Sequence, residues 1–92
     1  MPACLYKKSF LNDLARLPKH YRKQIERLVF EEIPKLDNLF STLDIRKMMG
    51  HEHYYRIRVG DYRIGCKIEK GNQITFYRVK SRADIYRVFP GR

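Results

Sequence analysis

From residue 54 to residue 89 the chain reads YYRIRVGDYRIGCKIEKGNQITFYRVKSRADIYRVF, with apolar and polar residues alternating over most of its length. A period of two is the mark of strands with one buried face. Gly60-Asp61 separates two such runs and predicts a two-residue hairpin with a type II′ turn, because glycine at the first turn position supplies the positive φ. That turn fixes a register: Val59 opposite Tyr62, Arg58 opposite Arg63, Ile57 opposite Ile64 and Arg56 opposite Gly65. Gly71-Asn72 is a second candidate two-residue turn. It would set Ile64 beside Val79, Cys66 beside Tyr77, Arg63 beside Lys80 and Gly65 beside Arg78. One face of the resulting meander then carries Tyr55, Ile57, Val59, Ile64, Cys66, Ile68, Thr75, Tyr77 and Val79, and this is the expected core face.

The first third of the chain changes period. After a short strand in ACLYKK, the segment SFLNDLARLP spaces Phe10, Leu11, Leu14 and Leu17 as a helix does, with Ser9 available as its N-cap and Pro18 as its end. In PKHYRKQIERLVFEEIP, the residues Tyr21, Ile25, Leu28, Val29 and Phe30 or Ile33 form an apolar stripe opposite Arg22, Lys23, Glu26, Arg27 and Glu31. Pro18 and Pro34 bracket this second helix. Two short helices joined by a tight turn predict a helical hairpin that needs a sheet to cover. Residues 35 to 53 lack a sustained period and read as a connection with room for one helical turn. The expected fold is therefore α+β, an N-terminal strand and helical hairpin packed on one face of an antiparallel sheet, with a short C-terminal helical segment. Ninety-two residues without repeats or linkers predict one domain over 1–92.

Charge alters this picture. The face left over by the meander gathers Arg56, Arg58, Arg63, Lys67, Arg78 and Lys80, with Arg58, Arg63 and Lys80 in one row across three strands. Like charges directly opposed on a sheet cost about 0.2–1 kcal/mol per pair, and a bound phosphate reverses the sign of that cost. Arginine also matches phosphate bidentately, where lysine would serve solubility as well. If the second turn is instead a longer, bulged loop, the third strand slips and Arg78 and Lys80 change faces, whereas Arg56, Arg58 and Arg63 survive. The whole chain holds 20 Lys and Arg against 10 Asp and Glu, a net charge of +10. The excess is uneven: 10 − 7 = +3 over residues 1–53 and 10 − 3 = +7 over residues 54–92. A polyanionic partner is indicated, and the second half is where it should bind.

The motif YRIRVGDYRI, followed by a further strand and by VKSRADIYRVF, resembles the RelE/ParE toxin superfamily of toxin–antitoxin systems. The order of elements agrees over nearly the whole chain. The resemblance implies a RelE-like fold and a small toxin held inactive by a cognate antitoxin, the two forming a hetero-oligomer. In the RelE-like branch it further implies entry into the ribosomal A site and cleavage of mRNA without metal or other cofactor. The ribose 2′-OH attacks the adjacent phosphate, leaving a 2′,3′-cyclic phosphate and a 5′-OH. By position, Arg56 and Arg58 fall on the family's basic first meander strand, Arg63 is the arginine after the turn, and Arg82 and Tyr86 match the C-terminal R…Y. Ser81 stands where many relatives have histidine, and arginine stands where some have lysine; both departures bear on proton transfer.

The residues themselves support that chemistry in outline. Negative charge building on a phosphorane would be stabilised by preorganised guanidiniums, so Arg63 and Arg82 are the electrostatic candidates and Arg56 and Arg58 the candidates for positioning the backbone. Lys67, Arg78 and Lys80 complete the expected RNA-binding face. Arginine is a poor general base at neutral pH, so proton transfer would fall to Tyr86, which reads equally as a ring packing the C-terminus. Tyr54 and Tyr62 read as packing beside the turn before they read as base-stacking platforms. His51 and His53 have no third ligand nearby and read as loop residues, His20 as helix surface, and Asp84 as a cap on the last helical turn. Cys4 and Cys66 read as reduced thiols in a cytoplasmic protein, and the N-terminal sequence lacks the apolar run of a signal peptide or membrane span. Two other functions share the fold: a ParE-like inhibitor of DNA gyrase without nuclease activity, and a non-catalytic relative that binds RNA or antitoxin.

Overall fold

The alternating second half folds as a meander, and a strand from each side extends it into one sheet. The structure, a computed structural model, describes residues 2–70 and 72–91. Its elements are β1 (Ala3–Tyr6), α1 (Lys8–Ala15), α2 (Lys19–Arg27), α3 (Leu39–Thr42), β2 (Ile45–Lys47), β3 (Tyr54–Val59), β4 (Tyr62–Glu69), β5 (Gln73–Ser81) and α4 (Ile85–Val88). The sheet order is β1-β5-β4-β3-β2, with β1 parallel to β5 and every other pair antiparallel. Among the described residues, no helix is long and apolar enough to cross a membrane.

The first hairpin has the register its turn dictates, Val59 opposite Tyr62 through to Arg56 opposite Gly65, with Gly60 at φ +57°. The second differs. Gly71 lies outside the described residues, but Glu69 pairs with Gln73, so three residues rather than two join β4 to β5. The slip ends at an irregularity between Gly65 and Cys66, where Cys66 faces Phe76 in place of Tyr77. Ile74 and Phe76 consequently replace Thr75 and Tyr77 on the core face. Arg78 and Lys80, lying beyond the irregularity, keep the pairings expected of them with Gly65 and Arg63.

The helices cover the face carrying Ile57, Val59, Ile64, Cys66, Ile74, Phe76 and Val79, burying Phe10, Leu14, Ile25, Val29 and Ile33 against it. Each fully buried side chain of this size contributes about 1.5–3 kcal/mol. Beyond the reach of β1, α1 satisfies the open edge of β5. The Lys7 N–H donates to the Phe76 carbonyl at 2.9 Å, the Ser9 hydroxyl donates to the Tyr77 carbonyl at 2.8 Å, and the Val79 N–H donates to an Asp13 oxygen at 3.2 Å. Ser9 is therefore inside the helix and not its N-cap, a position held by Lys7.

Helical backbone runs on past α2 as a wide turn over Leu28–Glu32 and a tight one over Ile33–Lys35, so Pro34 sits within it and the helical course ends one residue later than expected. The connection of residues 35–53 holds the single helical turn foreseen for it, α3, capped by the Asn38 side chain, which accepts from the N–H groups of Phe40 and Ser41. It also holds β2, a strand too short to show a period, which forms because β3 offers it an unpaired edge.

A second, smaller apolar cluster lies on the other side of the sheet. There Met48, Ile85 and Phe89 are buried with Tyr54, Tyr77 and Val88 beside them. The C-terminal segment is thus docked on the basic face.

Candidate functional site

Each cation of the basic face has its own surroundings, and these sort the row into held and available groups. Arg78 and Lys80 are held. Both reach round the edge of β5 to Asp13 of α1, Arg78 Nε at 2.7 Å from one carboxylate oxygen and Lys80 Nζ at 3.3 Å from the other. Asp13 is only 5% exposed. Burial acts to raise its carboxyl, and the Arg78 guanidinium, the Val79 N–H and the Lys80 ammonium outweigh burial and keep it below the usual carboxylate range. Lys67 lies 3.4 Å from Glu69 and 5.6 Å from the centre of the Tyr54 ring, and the Glu69 carboxylate lifts its ammonium above the ordinary value.

Arg63 is different. It is 9% exposed, and one guanidinium nitrogen donates to the Gly60 carbonyl at 2.9 Å and the Tyr62 carbonyl at 3.0 Å. Among the described residues no carboxylate pairs with it. A buried cation answered only by carbonyl dipoles keeps much of its attraction for an anion. The same hairpin turn receives Arg82, whose backbone N–H donates to the Asp61 carbonyl at 2.9 Å. The Arg63 guanidinium and the Arg82 backbone therefore meet at one turn, Arg82 is exposed there, and neither arginine is among the residues lining the cleft that holds Tyr86. Arg58, across from Arg63, has a loose exposed contact with Asp44 at 3.8 Å.

Tyr86 and Arg56 come together in an open cleft of about 390 Å³ beside the docked C-terminal segment. Its lining is Lys47, Met48, Met49, His51, Arg56, Tyr86, Phe89 and Pro90, with no acidic residue among them. Tyr86 is 56% exposed, so of its two readings the packed ring is not the one realised. Its neighbours Ile85 and Phe89 are the anchors that fix α4 to the sheet. The anchoring depends on Gly65, the bare position in the row formed by Arg46, Arg56, Gly65 and Arg78. A Cβ there would lie 2.5 Å from Phe89 Cγ and 2.8 Å from Cε2, well inside contact distance. Glycine lets the ring lie flat in the middle of an otherwise basic surface.

The cleft and the turn also show what sequence reasoning missed. His51, read as a loop residue, lines the cleft, and Lys47 and Arg46 arrive on a strand that had no periodic signal. Asp13 was legible in principle, as a lone acid on an otherwise apolar helical stripe. Asp84 takes the N-cap position of α4 without a side-chain cap and instead lies 3.7 Å from Arg87. Tyr62 packs on Tyr21 at 4.7 Å between ring centres, and Tyr54 packs on Phe89 at 5.7 Å, both as packing residues. His20 is exposed on α2 and His53 is an exposed loop residue beside Glu52.

Comparison with known proteins gives a consistent set of likenesses. The family described as the ParE toxin of type II toxin–antitoxin systems matches residues 5–86. Toxin RelE3 of Methanocaldococcus jannaschii is 46% identical over 87 residues, which is 94% of this chain and 97% of that protein. Among solved structures, the RelB–RelE antitoxin–toxin complex from Methanococcus jannaschii superposes with a TM-score of 0.76 at 45% identity, covering 94% of this chain and 99% of that one. The archaeal RelE–RelB complex from Pyrococcus horikoshii OT3 gives a TM-score of 0.58 at 30% identity, over 88% and 94% of the two chains.

Proposed function

The chain belongs to the RelE/ParE family of toxins of type II toxin–antitoxin systems, and from that premise we propose that it is an endoribonuclease acting on mRNA in the ribosomal A site. The observation that carries the proposal is the cleft that joins Tyr86 to Arg56 with no acidic residue in its lining. A phosphodiester can approach such a site without meeting a like charge.

In this reading Arg56 and Arg58 seat the RNA backbone, and Arg63 and Arg82 receive the charge that develops on the phosphorane. The 2′-oxygen loses its proton and bonds to phosphorus, the bond from phosphorus to the 5′-oxygen breaks, and Tyr86 takes part in returning a proton to that oxygen. Lys67, paired with Glu69 outside the cleft lining, would add only longer-range attraction to RNA. Arg78 and Lys80 serve the fold first, through Asp13, and add only long-range attraction to RNA. The similar structures that hold RelB with RelE support a cognate antitoxin as partner, in a hetero-oligomer that silences the toxin. The protein would work as one domain in the cytoplasm, where its substrate is translated.

The test is a primer-extension map of an mRNA translated in a cell-free system, with the wild type beside Arg56→Ala and Tyr86→Phe. Cuts with 5′-OH ends that need translating ribosomes and fade in both variants are expected. Intact mRNA under continued translation would refute the proposal, and gyrase-dependent DNA breaks in its place would establish the ParE-like activity.

A further inference from the structure

We infer that His51 is the proton acceptor for the 2′-hydroxyl in this cleft, an inference that rests on the endoribonuclease reading above. Cleavage by an internal 2′-OH needs one group to take a proton and another to give one. Arg56 is too basic for the first task. Of the groups lining the cleft, the His51 imidazole is the one with a ring-nitrogen lone pair that can accept a proton.

The fold presents His51 there and does not leave it to a free loop. Gly50, at φ +78°, turns the chain so that the His51 N–H donates to the Met48 carbonyl at 3.3 Å. Met48 is itself buried in the cluster with Ile85 and Phe89. The His51 ring stands edge-on to Tyr54, 6.2 Å between centres at 76°. The backbone contact to Met48 ties His51 to the cluster that also holds α4, and His51 and Tyr86 line the same cleft. Sharing the cleft with His51 are the charged and titratable groups Lys47 from β2, Arg56 from β3 and Tyr86 from α4, Tyr54 stands edge-on to its ring, and in its own loop Glu52 lies 3.7 Å from His53.

The balance is complete with groups present. The 2′-OH proton passes to the neutral imidazole as the 2′-oxygen bonds to phosphorus. The 5′-oxygen leaves with its electron pair and takes a proton from the Tyr86 phenol. The imidazolium then returns a proton to the phenolate through water, restoring both groups. His51 thereby supplies the proton acceptor that Ser81 cannot.

The experiment measures single-turnover cleavage of ribosome-bound mRNA from about pH 5.5 to about pH 8.5 for the wild type, His51→Asn and His53→Asn. Asparagine suits the positive φ of residue 53, and that variant is expected to behave as the wild type. In the wild type the rate should rise with pH along a limb of unit slope and level off. His51→Asn should lose about 10²-fold at pH 7 together with that rising limb, while its melting temperature and its RNA affinity stay unchanged. A His51→Asn protein that cleaves within about twofold of the wild type and keeps the limb overturns the inference and leaves the endoribonuclease reading standing. A wild type that makes no ribosome-dependent 5′-OH ends overturns both.

Discussion

Replacing Gly65 by alanine adds one methyl group at the centre of β4, and on an open sheet that change would be favourable by about 0.5–1 kcal/mol, because glycine loses more backbone freedom on folding. Here the methyl has no room. It would stand 2.5 Å from Phe89 Cγ and 2.8 Å from Cε2, against an ordinary contact distance of 3.4–4 Å, so the ring must retreat by roughly 1 Å or leave. Phe89 is 2% exposed and shares its cluster with Met48 and Ile85. Overpacking of this kind costs about 1–3 kcal/mol. Subtracting the gain in backbone entropy leaves a net loss of about 0–2.5 kcal/mol, centred near 1 kcal/mol, and each kcal/mol lowers the melting temperature by roughly 4–8 °C for a domain of this size. Since Phe89 anchors α4, ribosome-dependent cleavage should fall further than stability does, through misplacement of Tyr86. Thermal unfolding and mRNA cleavage, measured for Gly65→Ala, Phe89→Ala and the double variant, close a mutant cycle. In the Phe89→Ala background the Gly65→Ala change should become neutral or stabilising. Gly65→Ala alone as stable and as active as the wild type would refute the claim that the glycine exists to seat the ring.

Three further outcomes are expected. Asp13 is held below the usual carboxylate range in the folded chain, so its contribution is present above the unfolded carboxylate pKa of about 3.9 and is lost as pH falls through the depressed folded value. Urea titrations should therefore show acid-side destabilisation that Asp13→Asn flattens, with a cost of about 1–3 kcal/mol at neutral pH; equal pH profiles would contradict the bridge. Burial pushes the Cys66 thiol far above its ordinary value, so maleimide labelling of the native protein should stop at Cys4, with Cys66 reacting only on unfolding; rapid double labelling of folded protein would show the core to be open. Arg56→Ala should weaken RNA binding across sequences and lower the slope of log K against log salt by about 1, whereas Lys80→Ala, whose charge is spent on Asp13, should change that slope by less and melt at a lower temperature. An equal loss of slope in the two would remove the distinction between held and available cations.

The docked C-terminal segment explains why a surface this basic tolerates its own charge. Phe89 over Gly65 separates Arg56 from Arg78 within one row, and Asp13 draws Arg78 and Lys80 toward the other edge of the sheet. Arg58 is left exposed and Arg56, half-buried, lines the cleft.

What the sequence determined by itself was local. A period of two and the Gly60-Asp61 turn specify the first hairpin residue by residue, since a two-residue turn leaves no freedom of register and a slip by one would expose Ile57 and Ile64. The stripe of Phe10, Leu14, Ile25 and Val29 specifies the helical layer on the same grounds, and the family motif was readable in the contiguous string YRIRVGDYRI. The remainder depended on contacts distant along the chain. The three-residue connection and the irregularity between Gly65 and Cys66 together exchanged Thr75 and Tyr77 for Ile74 and Phe76 on the core face, which a two-residue reading of the turn could not show. Strand β2 exists because β3 had a free edge, and it brought Lys47 to the cleft and Arg46 beside Arg56 without any periodic signal. Asp13 meets Arg78 across 65 residues, and Phe89 meets Gly65 only once α4 has docked. A basic face can be counted from sequence. Which of its cations are free to bind phosphate is decided by where the folded chain places a single buried carboxylate and a single aromatic ring, because charge is neutralised through space and not along the chain.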